Sequence, residues 1–395
     1  MLSASLARRA FSGFFLSGVL LAFLGAILPA WGHHVDTDYL TIGAYFLALN
    51  VGLLCSVKLA DYLLRKRSSR WILVAGCGLA SFSLVVLAAT PAAVDPLWRL
   101  IGLFLAGLSA GLVNKIVFQG ISAHFRHDPA STVNLAGAFF GIGCLLTAVL
   151  VAGTFRVYTV PSILIFLALI PGFLAGLQAR WVYEPPALPP RPSWRQVLAD
   201  FKSPGALMFS LLLFFQFGNE WSVAGWLALY LIQMLGVSPE ASLKMLSLYW
   251  LTLLVARAAF QWLLPRVPHG RLLTAAVLAT MFGCVLLLFT NNLFGAGAGI
   301  VLMAAGFAAV YPLVVEKIGD RFPYYHPGFF NGIFSFALTG GLLAPCTLGL
   351  YVHLWGVRVV MLLPLLGTCM VFLLLVLIWL YAKLTEAPQV TAGAD

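Results

Sequence analysis

Twelve long runs of apolar residues make up most of this chain and limit what it can fold into. Each run has about the 20 residues that an α-helix needs to cross the hydrocarbon core of a bilayer. A water-soluble fold cannot bury so many runs, because polar residues must cover its surface. Here 62% of the 395 residues are hydrophobic and only 9% are charged. We therefore predict an all-α membrane protein with twelve transmembrane helices. The runs occupy residues 11–31, 39–64, 71–91, 97–122, 132–153, 159–181, 205–234, 241–264, 270–290, 293–318, 328–350 and 355–383.

The positions of lysine and arginine predict the orientation of these spans. If the N-terminus is cytoplasmic, 17 of the 23 basic residues fall on the inner side and two fall inside spans. The four on the outer side are Arg99, Arg156, Lys244 and Arg358. Basic residues favour cytoplasmic loops, so this bias places both termini inside, in a plasma (bacterial inner) membrane. The net charge of +10 is then a property of loops beside a bilayer and does not indicate nucleic-acid binding.

One polar, proline-rich segment divides the spans into two groups of six. Residues 182–203 contain several prolines, which stop helices and stiffen connectors. We predict an N-terminal bundle of residues 1–181, a cytoplasmic linker of residues 182–203 and a C-terminal bundle of residues 204–395.

The two halves share a short sequence pattern that indicates an internal repeat. An asparagine, a phenylalanine and a glycine recur at the same spacing in spans five and eleven, about half the chain apart. They are Asn134, Phe139 and Gly143 in the first half, and Asn331, Phe336 and Gly340 in the second. Two parallel six-helix repeats around a central cavity are a known transporter layout.

With this layout, the chain resembles the major facilitator superfamily over essentially its whole length. The loop after span two, "VKLADYLLRKRSSR", retains Asp61, Arg65 and Lys66 of that family's acidic and basic loop motif. Val57 and Leu64 stand where the motif has glycines. The resemblance implies that the retained residues take part in gating.

Three further stretches resemble the fucose-permease-like branch of sugar transporters. Span five reads "NLAGAFFGIG", which lacks the histidine of the branch pattern. The matching residues elsewhere are Gly218, Glu220, Trp226 and Tyr230 in span seven, and Gly340, Gly341, Pro345, Gly349 and residues 356–358 in spans eleven and twelve. The branch also has acids in spans one and four that serve proton coupling. Span one here has no ionisable residue and span four has Lys115, so neither fucose nor that relay carries over.

Three ionisable residues stand out well inside the predicted spans, away from their ends: Lys115, Glu220 and Arg257. A charge at the bilayer centre costs at least about 2.5–3.5 kcal/mol on insertion scales, so it needs a partner, water or neutralisation. The resemblance puts spans one, four, seven and ten around the cavity, with Lys115 and Glu220 on facing walls and Arg257 at the edge. We expect Glu220 either to accept a proton or to pair with Lys115. A tether between helices is the structural alternative for Glu220.

Polar and aromatic residues near these charges are candidates for binding solute. Amides can hydrogen-bond hydroxyl groups, and indole rings offer flat apolar faces to sugars, although both also serve as packing between helices. The predicted substrate-binding residues are Asn114, Lys115, Gln119, Gln216, Asn219, Glu220, Trp221 and Trp226. Lys115, Glu220 and Arg257 form the predicted coupling or charge-pair set.

The leading functional hypothesis is a secondary transporter of a small polar solute, a sugar or a related compound. No P-loop pattern indicates ATP as the driving force, and we expect no cofactor beyond a coupling proton or sodium ion. The predicted partners are the solute and the lipid bilayer, with a monomeric protein. The alternatives are an organic-anion carrier, with Lys115 and Arg257 as an anion clamp, or a drug exporter. A membrane-embedded enzyme lacks a convergent catalytic constellation, and no metal site is expected from the loop residues 33–38.

Overall fold

Twelve α-helices and no strand form the described part of the computed structural model. The structure describes residues 4–33, 38–90, 96–127, 129–180, 195, 201–264, 266–322 and 327–385. The predicted linker therefore lies almost wholly outside the described residues, as do four of the six residues in the loop 33–38. The helices are α1 (Ala4–Ile27), α2 (Tyr39–Leu64), α3 (Ser69–Ala88), α4 (Pro96–His127), α5 (Pro129–Thr154), α6 (Val160–Arg180), α7 (Pro204–Leu235), α8 (Pro239–Leu263), α9 (His269–Phe289), α10 (Leu293–Arg321), α11 (Pro327–Trp355) and α12 (Val359–Thr385).

Length and apolar composition qualify ten of these helices as membrane spans. The apolar part of α1, Phe11–Ile27, is slightly shorter than the others. Helix α7 has 32 residues, but polar residues interrupt its apolar sequence at its centre. The predicted multi-pass architecture is thereby confirmed, and α7 is the helix whose composition departs most from that of a simple span.

Capping residues in the sequence define several helix ends. The side chains of Asp38, Ser68, Ser238 and Asn292 accept hydrogen bonds from backbone N–H groups in the first turns of α2, α3, α8 and α10. Such caps satisfy donors that the helix itself leaves open. Helix α7 ends at Gly236, whose φ of 62° is readily adopted by glycine.

The helices of the two halves pack in the same pattern. In the first half, α1 packs on α5, α2 on α4 and α3 on α6; in the second, α7 packs on α11, α8 on α10 and α9 on α12. Gly143 of α5 lies directly against the carbonyl of Phe15 in α1, where a Cβ atom would not fit. Gly340 of α11 lies in the same way against Phe214 of α7. The repeated glycines thus perform the same packing role in both bundles.

Apolar packing differs between the two membrane sides. We call the side where α2 ends, with Arg65, Lys66, Arg67 and Arg70, the basic side, and the other the far side. One continuous apolar core extends through the first bundle and includes the second bundle on the far side. On the basic side a second core belongs to α7 and α9–α12, with Val133 of α5 as its member from the first bundle.

Glycines permit close contact between the bundles on the far side. In the pair formed by α2 and α11, a Cβ atom on Gly349 would lie 2.7 Å from the Cα atom of Gly43. In the pair formed by α1 and α7, Gly25 abuts the carbonyl of Ala224. A salt bridge of 2.5 Å joins Arg156, after α5, to Glu240 at the start of α8. The far ends of the bundles are therefore held together by backbone packing and by charge.

Candidate functional site

Glu220 lies in the middle of α7 with its carboxylate inside the protein. The residue is only 8% exposed, and Gln216, one turn earlier, is 1% exposed. The Gln216 side chain lies beside the Glu220 carboxylate, and its Nε2 donates a hydrogen bond to the backbone carbonyl of Phe307 in α10 (3.4 Å). These contacts orient the carboxylate away from lipid, as an ionisable group at this depth requires.

Arg257 of α8 is the ion partner of Glu220. Its Nη2 lies 3.4 Å from Glu220 Oε1, and both side chains are at most 10% exposed. The predicted pairing of Glu220 with Lys115 is therefore wrong for this conformation. The prediction used the arrangement of spans that the family resemblance implies, with Arg257 at the edge of the cavity. It ignored the length of the arginine side chain, which reaches Glu220 on the neighbouring helix.

The same arginine also contacts the other bundle. Arg257 Nη1 donates a hydrogen bond of 2.6 Å to the backbone carbonyl of Gly137 in α5. One turn earlier, Asn134 Nδ2 donates to the backbone carbonyl of Arg257 (3.3 Å). Glu220, Arg257 and Gly137 therefore form a chain of contacts from α7 through α8 to α5, across the boundary between the bundles.

Tyrosine side chains surround the ion pair within the second bundle. The hydroxyl of Tyr249 in α8 donates to the backbone carbonyl of Glu220 (3.3 Å). Tyr311 of α10 lies within electrostatic reach of both Glu220 and Arg257 and packs on Phe217 with ring centroids 4.9 Å apart. Polar and aromatic groups are thus combined at one level of the bundle, an arrangement that can hold a solute with hydroxyl groups and an apolar face.

Three aromatic rings cross the bundle boundary next to Glu220. Phe140 of α5 packs edge-on against Trp221 of α7 (5.8 Å between centroids) and against Trp250 of α8 (6.4 Å). Trp221 is partly exposed, whereas Trp250 is 1% exposed. Of the two tryptophans predicted to bind solute, Trp221 therefore lies at the boundary between the bundles, next to Glu220 in sequence.

Trp226, the other predicted tryptophan, lies apart from this cluster in the far-side contact between the bundles. It is fully buried, stacks on Phe46 of α2 (5.9 Å) and donates its indole N–H to the carbonyl of Pro345 in α11 (2.9 Å). In this conformation its role is to pack the two bundles together.

Asn219 also faces a neighbouring helix and lies away from the ion pair. Its Nδ2 donates to Thr368 Oγ1 in α12 (3.2 Å), and the residue is 3% exposed. The contact fits the alternative of an interhelical hydrogen bond. Gln216 and Asn219 are both directed into protein, as predicted, but toward different neighbours.

The candidates of the first bundle form a separate group on α4. Lys115 Nζ lies 3.7 Å from Asp61 Oδ1 of α2, with the two side chains 28% and 19% exposed. Asn114 Oδ1 accepts a short hydrogen bond from Ser17 Oγ of α1, and Gln119 is buried. The structure thus places Asp61 within α2, paired inside its own bundle, and separates Lys115 from the Glu220 cluster.

The remaining residues of the predicted loop motif are at the surface of the basic side. Arg65 caps the C-terminal end of α2. Lys66 Nζ donates to the hydroxyl of Tyr62 (2.6 Å) and lies over its ring. Among the described contacts of this motif, only that of Asp61 reaches the interior.

The fold agrees with comparisons to known proteins. The family model for the Major Facilitator Superfamily matches residues 10–345. The chain belongs to that superfamily. Its members are transporters and not enzymes, and the resemblance inferred from the motifs is thereby confirmed.

Relatives of this superfamily member are distant but match nearly full length. A TsgA homolog of Buchnera aphidicola is 22% identical over 390 residues, which cover 96% of each chain. An uncharacterized transporter, y4wD, of Sinorhizobium fredii is 23% identical over 326 residues, or 78% of this chain and 81% of the relative.

Solved structures of similar fold include two transporters of the superfamily. A variant of the nucleoside transporter NupG superimposes with a TM-score of 0.69 at 14% identity, covering 95% of this chain and 99% of that one. A variant of the Escherichia coli fucose:proton symporter FucP gives 0.61 at 16% identity, covering 94% and 98%. At such identities these likenesses describe the fold.

Sequence reasoning missed the residues that connect Arg257 to the first bundle. Gly137 contributes a backbone carbonyl, which has no side-chain signature. Phe140 lies one turn later in the stretch "NLAGAFFGIG", which the sequence analysis quoted for its resemblance to a family pattern and not as a contact between bundles. Tyr249 and Tyr311 look like ordinary span residues, and only the packing of their helices brings them to the ion pair.

Proposed function

We propose that this protein is a secondary transporter that moves a small polyhydroxylated solute, a sugar or a nucleoside, by alternating access of its two bundles. The observation that carries the proposal is the buried Glu220–Arg257 pair, which also binds the first bundle at Gly137. A buried ion pair is weak as a stabilising device, because the desolvation of two charges offsets much of their attraction. Its position between the two moving units favours a functional role.

The surroundings of the pair support the solute class. Gln216 and the charged groups provide donors and acceptors, and Trp221 and Phe140 provide ring faces beside them. A sugar or a nucleoside combines hydroxyl groups with a flat or apolar face, so both types of group would be used. The solved structures of similar fold include a nucleoside transporter and a fucose symporter, which supports the same solute class for this chain.

The contrast between the two membrane sides supports alternating access. The bundles share one core on the far side, whereas the basic-side core belongs to the second bundle, with Val133 from the first. Rocking of the bundles about a midplane site would open the packing between them on the far side and close it on the basic side. We further propose that Glu220 is the coupling carboxylate, because a proton or another cation at this group would weaken its hold on Arg257.

An organic-anion carrier is the less favoured alternative. The anion clamp required Lys115 and Arg257 to act together on one solute. Each has a carboxylate neighbour here, Asp61 for Lys115 and Glu220 for Arg257. An anion would have to displace both carboxylates, which disfavours this mode of binding.

A ligand screen followed by counterflow tests the proposed function. The purified protein should be stabilised in a thermal-shift assay by at least one sugar or nucleoside, because ligand binding to the folded state raises its melting temperature. Proteoliposomes loaded with that compound should then accumulate the labelled form by exchange. Stabilisation and exchange by organic acids alone would favour the anion carrier. Binding without exchange of any compound would contradict transport.

A further inference from the structure

The guanidinium of Arg257 has one acceptor in each bundle. Nη2 contacts the Glu220 carboxylate of α7 at 3.4 Å, and Nη1 contacts the Gly137 carbonyl of α5 at 2.6 Å. A planar guanidinium offers several N–H donors in a fixed fork, so orienting one side of it also orients the other. The carboxylate in α7 therefore controls how Arg257 is presented to α5.

Gly137 is the residue of α5 that permits this contact. A Cβ atom at position 137 would lie 2.8 Å from Arg257 Nη1 and 3.1 Å from its Cζ, well inside van der Waals contact. One turn later on the same face, a Cβ atom at Gly141 would meet Leu254 at 3.7 Å and Arg257 Nη1 at 4.0 Å, which are ordinary distances. The two glycines thus differ in one respect that can be tested, because only Gly137 makes room for the guanidinium.

The contact lies where the two bundles otherwise have separate cores. Val133, Asn134 and Gly137 form one face of the basic half of α5, and all three contact the second bundle. On the far side, by contrast, the bundles join through α1 with α7 and α2 with α11. Release of Arg257 from Gly137 would therefore remove one of the contacts that hold the basic half of α5 to the second bundle and leave the far-side contacts intact.

We infer that Arg257 is a positioning residue for transport: it latches the basic half of α5 to α8, and Glu220 holds the latch closed. The inference deepens the proposed function and rests on its alternating access. Loss of the Glu220 charge would leave the guanidinium without its ionic partner, and its orientation toward Gly137 would be lost. The bundles would then separate more readily on the basic side. A change at the carboxylate of one bundle is in this way transmitted to the other bundle.

Hydrogen–deuterium exchange of the purified full-length protein, without any solute, tests the latch. Gly137→Ala changes no charge but places a methyl group against the guanidinium. We expect it to raise deuterium uptake in peptides covering residues 132–141 and 252–263, relative to Gly141→Ala as the matched control. Glu220→Gln should raise uptake in the same peptides. Equal uptake in Gly137→Ala and Gly141→Ala would overturn the latch.

A second variant keeps the test decisive if Gly137→Ala does not fold. Arg257→Lys retains the charge but replaces the planar fork by a single ammonium group, which cannot reproduce both contacts in the same geometry. It should give the same rise in uptake, and wild-type uptake would overturn the latch. Because no solute is present, the result is independent of the transport assays. If the variants show altered deuterium uptake but the protein moves no solute, the proposed transport is contradicted and the latch still stands.

Discussion

Each bundle contains an ion pair between two of its helices, and the pairs differ in burial and in what they connect. Lys115 and Asp61 lie 3.7 Å apart on α4 and α2 of the first bundle, with side chains 28% and 19% exposed. Glu220 and Arg257 lie 3.4 Å apart with side chains 10% and 8% exposed, and Arg257 also binds the other bundle. The first pair links two helices of one bundle, whereas the second also contacts the boundary between the bundles, where the proposed alternating access requires movement. A repeated fold has thus acquired different uses of charge in its two halves.

The largest effect is expected when only one member of the buried pair is removed. Glu220→Ala leaves Arg257, which is 6% exposed, as an uncompensated buried charge. Breaking a buried pair in this way costs about 3–5 kcal/mol. Denaturant titration in detergent micelles should show a loss of this size in the free energy of unfolding. If the free energy of unfolding fell only as little as it does when an exposed ion pair is broken, the pair would be more hydrated than the structure shows.

Removal of both charges should restore most of that stability. The double variant Glu220→Gln with Arg257→Gln leaves neither charge unpaired, so it should be more stable than Glu220→Gln alone. The matched control is Glu220→Gln with Lys115→Gln, which unpairs Asp61 as well and should give no recovery. The same denaturant titration compares the three proteins. If the Lys115→Gln change restored stability and the Arg257→Gln change did not, Lys115 would be the ion partner of Glu220.

The smallest effect is expected at the pair of the first bundle. Asp61→Asn removes one charge from a partly exposed pair, and such pairs contribute only about 0–1 kcal/mol. The free energy of unfolding should therefore change much less than in Glu220→Ala. If both variants lost the same free energy of unfolding, the two ion pairs would not differ in effective burial, and the comparison would fail.

Most of the fold could be predicted from the sequence because the bilayer imposes a simple rule. Runs of about 20 apolar residues give spans, and the spacing of Asn134, Gly143, Asn331 and Gly340 indicated the repeat. The structure explains why the glycines recur, since each lets two helices of its bundle approach closely. Helix α7 departs most from this rule, since Gln216, Asn219 and Glu220 reduce its apolar character but the predicted helix continues without a break.

The site could be predicted only in part. An ionisable residue inside a span is a strong signal, and it identified Glu220, Arg257 and Lys115. Their partners depend on which way each side chain points around its helix and how far it reaches, and neither follows from depth along the axis. The Gly137 carbonyl has no sequence signature, because every residue has a carbonyl and only packing selects this one.

The central claim is that the charge of Glu220 serves transport and the charge of Asp61 serves packing within one bundle. The direct test compares Glu220→Gln and Asp61→Asn in proteoliposomes, once a transported solute is known from the screen. Two assays are needed: solute accumulation driven by an ion gradient, and exchange of labelled for unlabelled solute. We predict that Glu220→Gln loses accumulation and retains exchange, while Asp61→Asn retains both. Full accumulation by Glu220→Gln, or its loss in Asp61→Asn alone, would contradict the account.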